Sequence, residues 1–128
     1  MTQEDKNKKL LLLKDLSARL PYEVICKIAA NDKPCLGDHK LSTFWLDKVT
    51  DICYEIKPYL RPMSSMTEEE RLESLEFAWE DDYGRLASYD ENIPKYIDWL
   101  NSHHFDYRGL IEKGLAIEAP EGMYKNKN

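Results

Sequence analysis

The six prolines constrain this chain more than any other feature, because each fixes φ and removes a backbone donor where it stands. Pro21 closes a segment in which Leu10, Leu13, Leu16 and Leu20 recur at helical spacing. The residue before a proline is pushed out of the α region, so a helix from Lys9 to Leu20 is predicted to stop there, with Lys14, Asp15, Ser17 and Arg19 largely on its polar face. Pro34 falls in the turn signal Asn31-Asp32-Lys33-Pro34, and Pro58 and Pro62 predict an extended crossing. Pro94 is tolerated in the first turn of a helix, and Pro120 turns the chain out near its end.

Between Pro21 and Pro58 the composition shifts to β-branched and aromatic residues. The runs Val24–Ile28, Leu41–Leu46 and Ile52–Ile56 are short and bounded by turn residues, which predicts a small antiparallel sheet or partly open barrel. Ile52, Tyr54 and Ile56 alternate with Cys53 and Glu55 as in a half-buried strand, whereas Cys35 to Lys40 reads equally as strand or loop. After Pro62, Thr67 and Glu70 form a capping box, and Glu68, Glu69 and Glu70 suit the positive end of a helix dipole. That helix is predicted to run from Thr67 to Glu80 and to bury Leu72, Leu75, Phe77 or Ala78, and Trp79, with Asp81, Asp82 and Gly84 around its exit.

A helix from Ile93 to His103 places Tyr96, Ile97, Trp99 and Leu100 on one broad apolar face. Asp106 suits the N-cap of a short helix over Tyr107–Lys113, Gly114 suits its left-handed stop, and Leu115–Ala119 suits a last strand. The fold class is therefore α+β: an N-terminal helix, a small antiparallel sheet or partly open barrel, then C-terminal helices packed on it, with Trp45, Trp79 and Trp99 in the core. One domain over residues 1–128 is expected, frayed at 1–9 and 125–128.

Charge and cysteine usage narrow the function classes. A net charge of −6 argues against a direct nucleic-acid partner and against an anionic membrane surface, both of which recruit clustered Lys and Arg. Cys26, Cys35 and Cys53 form no Cys-x-x-Cys pair, and the Leu10–Leu13 run is too short for a secretory core or a spanning helix. A reduced, cytoplasmic protein without a cofactor is the expectation.

Three phrases carry a resemblance: Leu11 to Tyr22 (LLLKDLSARLPY), Lys57 to Glu70 (KPYLRPMSSMTEEE) and Asp106 to Tyr124 (DYRGLIEKGLAIEAPEGMY). In these the chain resembles a group of short uncharacterised proteins from gut Bacteroides-type bacteria and their phages. The resemblance implies a prophage or mobile-element setting inside a bacterial cell and carries over no catalytic residue. It is weak over Ile25–Val49 and Arg71–Pro94, where functions particular to this chain are expected.

The chemically suggestive residues are Tyr59, Arg61, His103, His104, Tyr107 and Arg108, as a binding set, and Glu68, Glu69, Glu73, Glu76 and Glu80, as an acidic face. Tyr and Arg are the types enriched at interface hot spots, although Tyr59 in a rigid proline connector packs equally well on the sheet. His103, His104 and Asp106 are metal-ligand types, but adjacent helical residues point about 100° apart and no further ligand is signalled. A histidine beside a carboxylate is workable for proton transfer, yet no nucleophile motif accompanies it, so no catalytic residue is assigned. The expected function is a non-enzymatic, phage or mobile-element-encoded module binding a host or phage protein, with stoichiometric inhibition of a defence component as its specific form. The alternative is a nucleotide-signal binder in which Arg61 or Arg108 meets the anion; an acidic nucleic-acid mimic or a small enzyme comes third.

Overall fold

A computed structural model of the chain describes residues 2–32, 36–77, 79–80, 86–87 and 92–124, with backbone alone at 79–80 and 86–87. Helix α1 (Gln3–Arg19) starts six residues before the apolar spacing indicates, because Thr2 and Asp5 form a capping box at its N-terminus. Residues 3–9 are thus helical rather than frayed, and Lys9 donates to the carbonyls of Val49 and Tyr54 at 3.2 and 3.3 Å. The inward face of α1 is Leu12, Asp15, Leu16 and Arg19, which share a side at i, i+3, i+4 and i+7. Leu10 is exposed, and Asp15 and Arg19, expected in water, are fully buried.

The sheet is built on β1 (Ile25–Ala30), β2 (Gly37–Lys40) and β3 (Tyr54–Pro62), in the antiparallel order β2-β1-β3. Two short strands, β6 (Phe105–Asp106) and β7 (Ile117–Glu118), pair in parallel with the second half of β3, β6 on the edge that β1 has left and β7 on the opposite edge, so the sheet is mixed rather than purely antiparallel. Leu41–Leu46 is not a strand: Ser42 caps Trp45 N–H and turns Thr43–Leu46 into the one-turn helix α2. Cys35 lies outside the described residues, while Gly37 to Lys40 is strand. Ile52 precedes β3 and is exposed, so the alternation begins at Tyr54.

The expected crossing at Pro58 and Pro62 is the second half of β3, the central strand. Pro58 is accommodated there by register. The bond from Asn31 N–H to Cys53 C=O sets the phase of the β1–β3 ladder, and Pro58 opposite Cys26 then falls at a non-hydrogen-bonded pair. The next bonded pair would be Ile25 with Tyr59, and there the Tyr124 hydroxyl inserts. It accepts from Ile25 N–H and donates to the Tyr59 carbonyl, both at 2.8 Å, bridging the strands where they separate.

Helix α3 (Glu68–Ser74) has the predicted capping box but ends before Glu80, and Trp79–Glu80 forms a two-residue strand, β4, paired with β5 (Leu86–Ala87). Ala78, the segment 81–85 with Asp81, Asp82 and Gly84, and residues 125–128 lie outside the described residues, as do the side chains of Trp79 and Glu80. The inward side of α3 is Glu70, Ser74 and the following Phe77, at i, i+4 and i+7, which turns Leu72 and Leu75 outward instead of burying them. Helix α4 (Ile93–Ser102) forms as predicted, with Pro94 in its first turn and Trp99 and Leu100 buried.

The segment Tyr107–Lys113 is not a helix. Gly109 and Gly114 adopt φ of +72° and +75°, left-handed values that break an α-helix. Asp106 still caps it, accepting from Leu110 and Ile111 N–H at 2.9 Å each, so the turns are held by the residue expected to start the helix. The α+β class stands, with two apolar clusters. The larger joins α1, the sheet and Leu110, with Trp45 at its margin; the smaller is Trp99, Leu100 and Phe105 between α4 and β6.

Tyr124→Phe tests the inserted hydroxyl, because the ring is kept and only the bridge is lost. Stability in urea is expected to fall by about 1–3 kcal/mol, the cost of leaving a buried donor and acceptor unpaired. A change below about 0.5 kcal/mol would show that the strands close without it.

Candidate functional site

Arg61 and His103 meet Glu70 and Glu73 at the junction of β3, α3 and α4. Arg61 ends β3 with its guanidinium 4.3 Å above the Phe105 ring and binds both oxygens of Glu70 at 2.7 Å. A third bond reaches the Ser65 carbonyl at 3.2 Å. Glu70 also closes the capping box with Thr67, and the Arg61 guanidinium beside it holds its carboxyl down to about 2 despite partial burial. Arg61 is therefore occupied by its own chain and offers no free charge to an anion.

His103 ends α4, and its ring lies 4.4 Å from that of Trp99. Its Nδ1 and Nε2 sit 3.4 Å from carboxylate oxygens of Glu70 and Glu73 respectively. Trp99 Nε1 donates to the same Glu73 oxygen at 2.6 Å. Two carboxylates expected on a solvated acidic face are thus the means by which α3 docks on α4. Glu68 is paired with Arg71 at 2.8 Å and held below its usual range by it, while Glu69 and Glu76 carry no such bond to any described residue. The Glu80 side chain lies outside the described residues.

His104 does something different from its neighbour. It adopts φ +64° just beyond the helix end, its carbonyl accepts from Arg61 N–H at 2.8 Å, and its ring stacks on Tyr124 at 3.7 Å. Burial, reinforced by the positive charge of Arg19, lowers its pKa to about 4, so the ring is neutral at pH 7 and its Nδ1 is buried without a partner. Burial also pushes the Tyr124 phenol well above the ordinary tyrosine range.

Tyr107 and Arg108 belong to a third group. Arg108 Nε donates to Asp15 at 3.1 Å, and Arg19 donates to the same carboxylate through Nε at 2.7 Å and Nη2 at 3.2 Å. Arg19 Nη2 also reaches the Phe105 carbonyl at 2.7 Å. Both guanidiniums lie over the Tyr107 ring, at 5.3 and 5.2 Å, and the Tyr107 hydroxyl donates to Asn101. Sequence reasoning missed Asp15 and Arg19 because they read as one more exposed i, i+4 pair; their coincidence with the Leu12–Leu16 stripe was the available signal. Tyr59, the sixth member of the set, donates its hydroxyl to Asp38 at 2.9 Å.

The structure therefore splits the six residues between three structural assemblies and one sheet contact. A cavity of about 580 Å³ opens between the β3–α3 junction and the chain after β7, and Glu69, Glu70, Glu118 and Glu121 line it around the already paired Arg61. Its charge disfavours a nucleotide. Among the described residues no group of three or more His, Cys, Asp or Glu side chains is arranged to hold a metal ion, and no helix is long and apolar enough to cross a membrane. Burial, together with the Asp15 carboxylate, pushes the Cys26 thiol up to about 12, which leaves it unreactive. Among the described residues the exposed large apolar side chains include Leu10, Phe44 and Ile52, and Leu72 and Leu75, 56% and 40% exposed, which lie together on one ridge of α3 and its C-terminal turn. Comparison with protein-family models, with curated proteins and with solved structures gave no match.

His104 predicts a specific acid response. Its folded pKa, about 4, lies below the ordinary histidine value of 6.5, so between these limits only the unfolded chain takes up the proton. Stability from this residue is complete above pH 6.5 and is lost as pH falls toward 4, at up to about 1.4 kcal/mol per pH unit. Glu70 acts in the same direction over a lower window, from its ordinary 4.5 down to about 2. In urea titrations from pH 7 to 2, His104→Asn should flatten the limb between pH 6.5 and 4 and leave the one below it. An unchanged slope above pH 5 would contradict the buried neutral ring.

Proposed function

We propose that the chain is a non-enzymatic protein-binding module, encoded by a phage or mobile element, that engages a host or phage protein through the leucine ridge of α3. The observation that carries this reading is the exposure of Leu72 and Leu75 on a helix that turns the polar residues Glu70 and Ser74 inward. Exposed neighbouring leucines cost free energy in a monomer and gain it when a partner covers them. Glu68, Glu69 and Glu76 rim the ridge, so the fitting partner presents an apolar groove edged with basic residues. In this reading the ridge falls in Arg71–Pro94, outside the three phrases on which the proposed phage or mobile-element setting rests, as a target-specific surface would. Inhibition of a defence component is the form this binding takes in the proposal. The nucleotide-binder alternative receives less support, since Arg61 and Arg108 are both held by carboxylates of the chain itself.

Affinity purification of the tagged protein from its bacterial host tests this against a Leu72→Asp/Leu75→Asp control. A co-eluting protein present with the parent chain and lost with the control is expected, with the two proteins' melting temperatures within a few degrees because the residues are exposed. Equal recovery by both proteins, or no partner and a thermal shift on adding nucleotides, would overturn the proposal.

A further inference from the structure

β2 ends the sheet, and its outward side is complementary to itself. The bond from Leu41 N–H to Val24 C=O makes 24 and 41 a hydrogen-bonded pair. Alternation along the antiparallel ladder then turns the N–H and C=O of His39 toward β1 and those of Asp38 and Lys40 away from it. The other side of β1 gives the same phase independently, since the Asn31–Cys53 bond directs Ile25, Lys27 and Ala29 at β3. Among the described residues no strand pairs with the outward edge of β2.

From this edge we infer that the chain forms a two-fold dimer, in which β2 pairs antiparallel with β2 of a second copy about an axis through His39. Charge selects that register. Centred on residue 38 or 40, the pairing sets Asp38 against Asp38 or Lys40 against Lys40, and like charges directly opposite are destabilising. Centred on His39, Asp38 faces Lys40 of the second copy at both ends, and each such pair exchanges both backbone bonds. The local contacts of these side chains permit it: Asp38 uses one carboxylate oxygen for the Tyr59 hydroxyl, and Lys40 lies 3.7 Å from Glu23 with both largely in water. On the opposite face His39 is backed by Trp45 at 5.4 Å, and the exposed Phe44 ring stands 4.8 Å from Trp45. Dimerisation brings two such aromatic groups to one face of a continuous antiparallel sheet.

A four-residue edge makes a small contact, of the transient class below roughly 1,200 Å², so dimerisation is concentration-dependent. Charged edges also serve to block pairing in monomeric proteins, and an extended segment of a different protein could use the same backbone groups. Sedimentation equilibrium from micromolar to millimolar protein separates these cases. The parent chain should dimerise; Lys40→Asp and Asp38→Lys, each confirmed folded by circular dichroism, should each weaken self-association by about tenfold or more. Mixed in equal amounts they should form a heterodimer, because each end of the pair again joins opposite charges. Leu72→Asp/Leu75→Asp should dimerise as the parent does, which keeps this test separate from that of the α3 ridge. A parent chain monomeric throughout, variants that associate like the parent, a mixture that stays monomeric, or an edge that binds only foreign extended peptides would each overturn the dimer.

Discussion

The fold depends on the buried carboxylate of Asp15. It binds both Arg19 on its own helix and Arg108 near the other end of the chain, and the pair Asp15 and Arg19 has no exposed surface. Through Arg19 the contact extends to the Phe105 carbonyl, where β6 joins the sheet. The larger apolar cluster lies on the α1 side of this network and the Trp99 cluster on the α4 side. Two guanidiniums share one carboxylate, and their excess positive charge is met by the Phe105 carbonyl and the Tyr107 ring. The orphaned Arg19 Nη1 is the residue of that imbalance. Isolated from its partners, any of these charges would be costly inside the protein; together they specify which part of the C-terminal segment meets α1.

The same economy explains why the polar residues most suggestive of chemistry make a poor active site. Arg61, Arg108, Glu70, Glu73 and Asp106 each hold one element against another or cap a turn. His104 sits neutral against Tyr124, and that tyrosine completes the β1–β3 ladder. With these groups engaged internally, the leucine ridge of α3 and the outward edge of β2 are among the surfaces left open to other molecules in the described residues, one hydrophobic and one made of backbone donors and acceptors.

Local chemistry was readable wherever one residue acts on its near neighbours. The Thr67 capping box, the entry of α4 at Pro94, strand β1, the Asp106 cap and the left-handed Gly114 all follow from short-range rules. The failures lie where distant residues decide. Asp15 and Arg19 look like a solvated helical pair until Arg108, 93 residues from Asp15, is brought beside them. Leu72 and Leu75 look buried until Arg61 binds Glu70 and Trp99 binds the exposed Glu73, contacts that fix the α3 face carrying Glu70 and Ser74 against the protein. Leu41–Leu46 has strand composition, but a serine cap and the packing of Trp45 over His39 make it a helical turn. Of the six suggested binding residues, sequence identified the neighbourhood and misjudged the role, since a residue's free or committed state depends on partners that spacing does not reveal.

Native-state hydrogen exchange on Asp15→Asn tests the central claim most directly. Removing the charge leaves the fully buried Arg19 and the half-buried Arg108 beside a neutral amide, so global stability should fall by about 3–5 kcal/mol. The Leu110 and Ile111 amides, which Asp106 binds, and the Arg61 amide, which the His104 carbonyl binds, should lose protection together with those of α1. Full protection at Leu110, Ile111 and Arg61, with loss confined to α1, would mean that the C-terminal segment is held independently of Asp15 and would contradict the account.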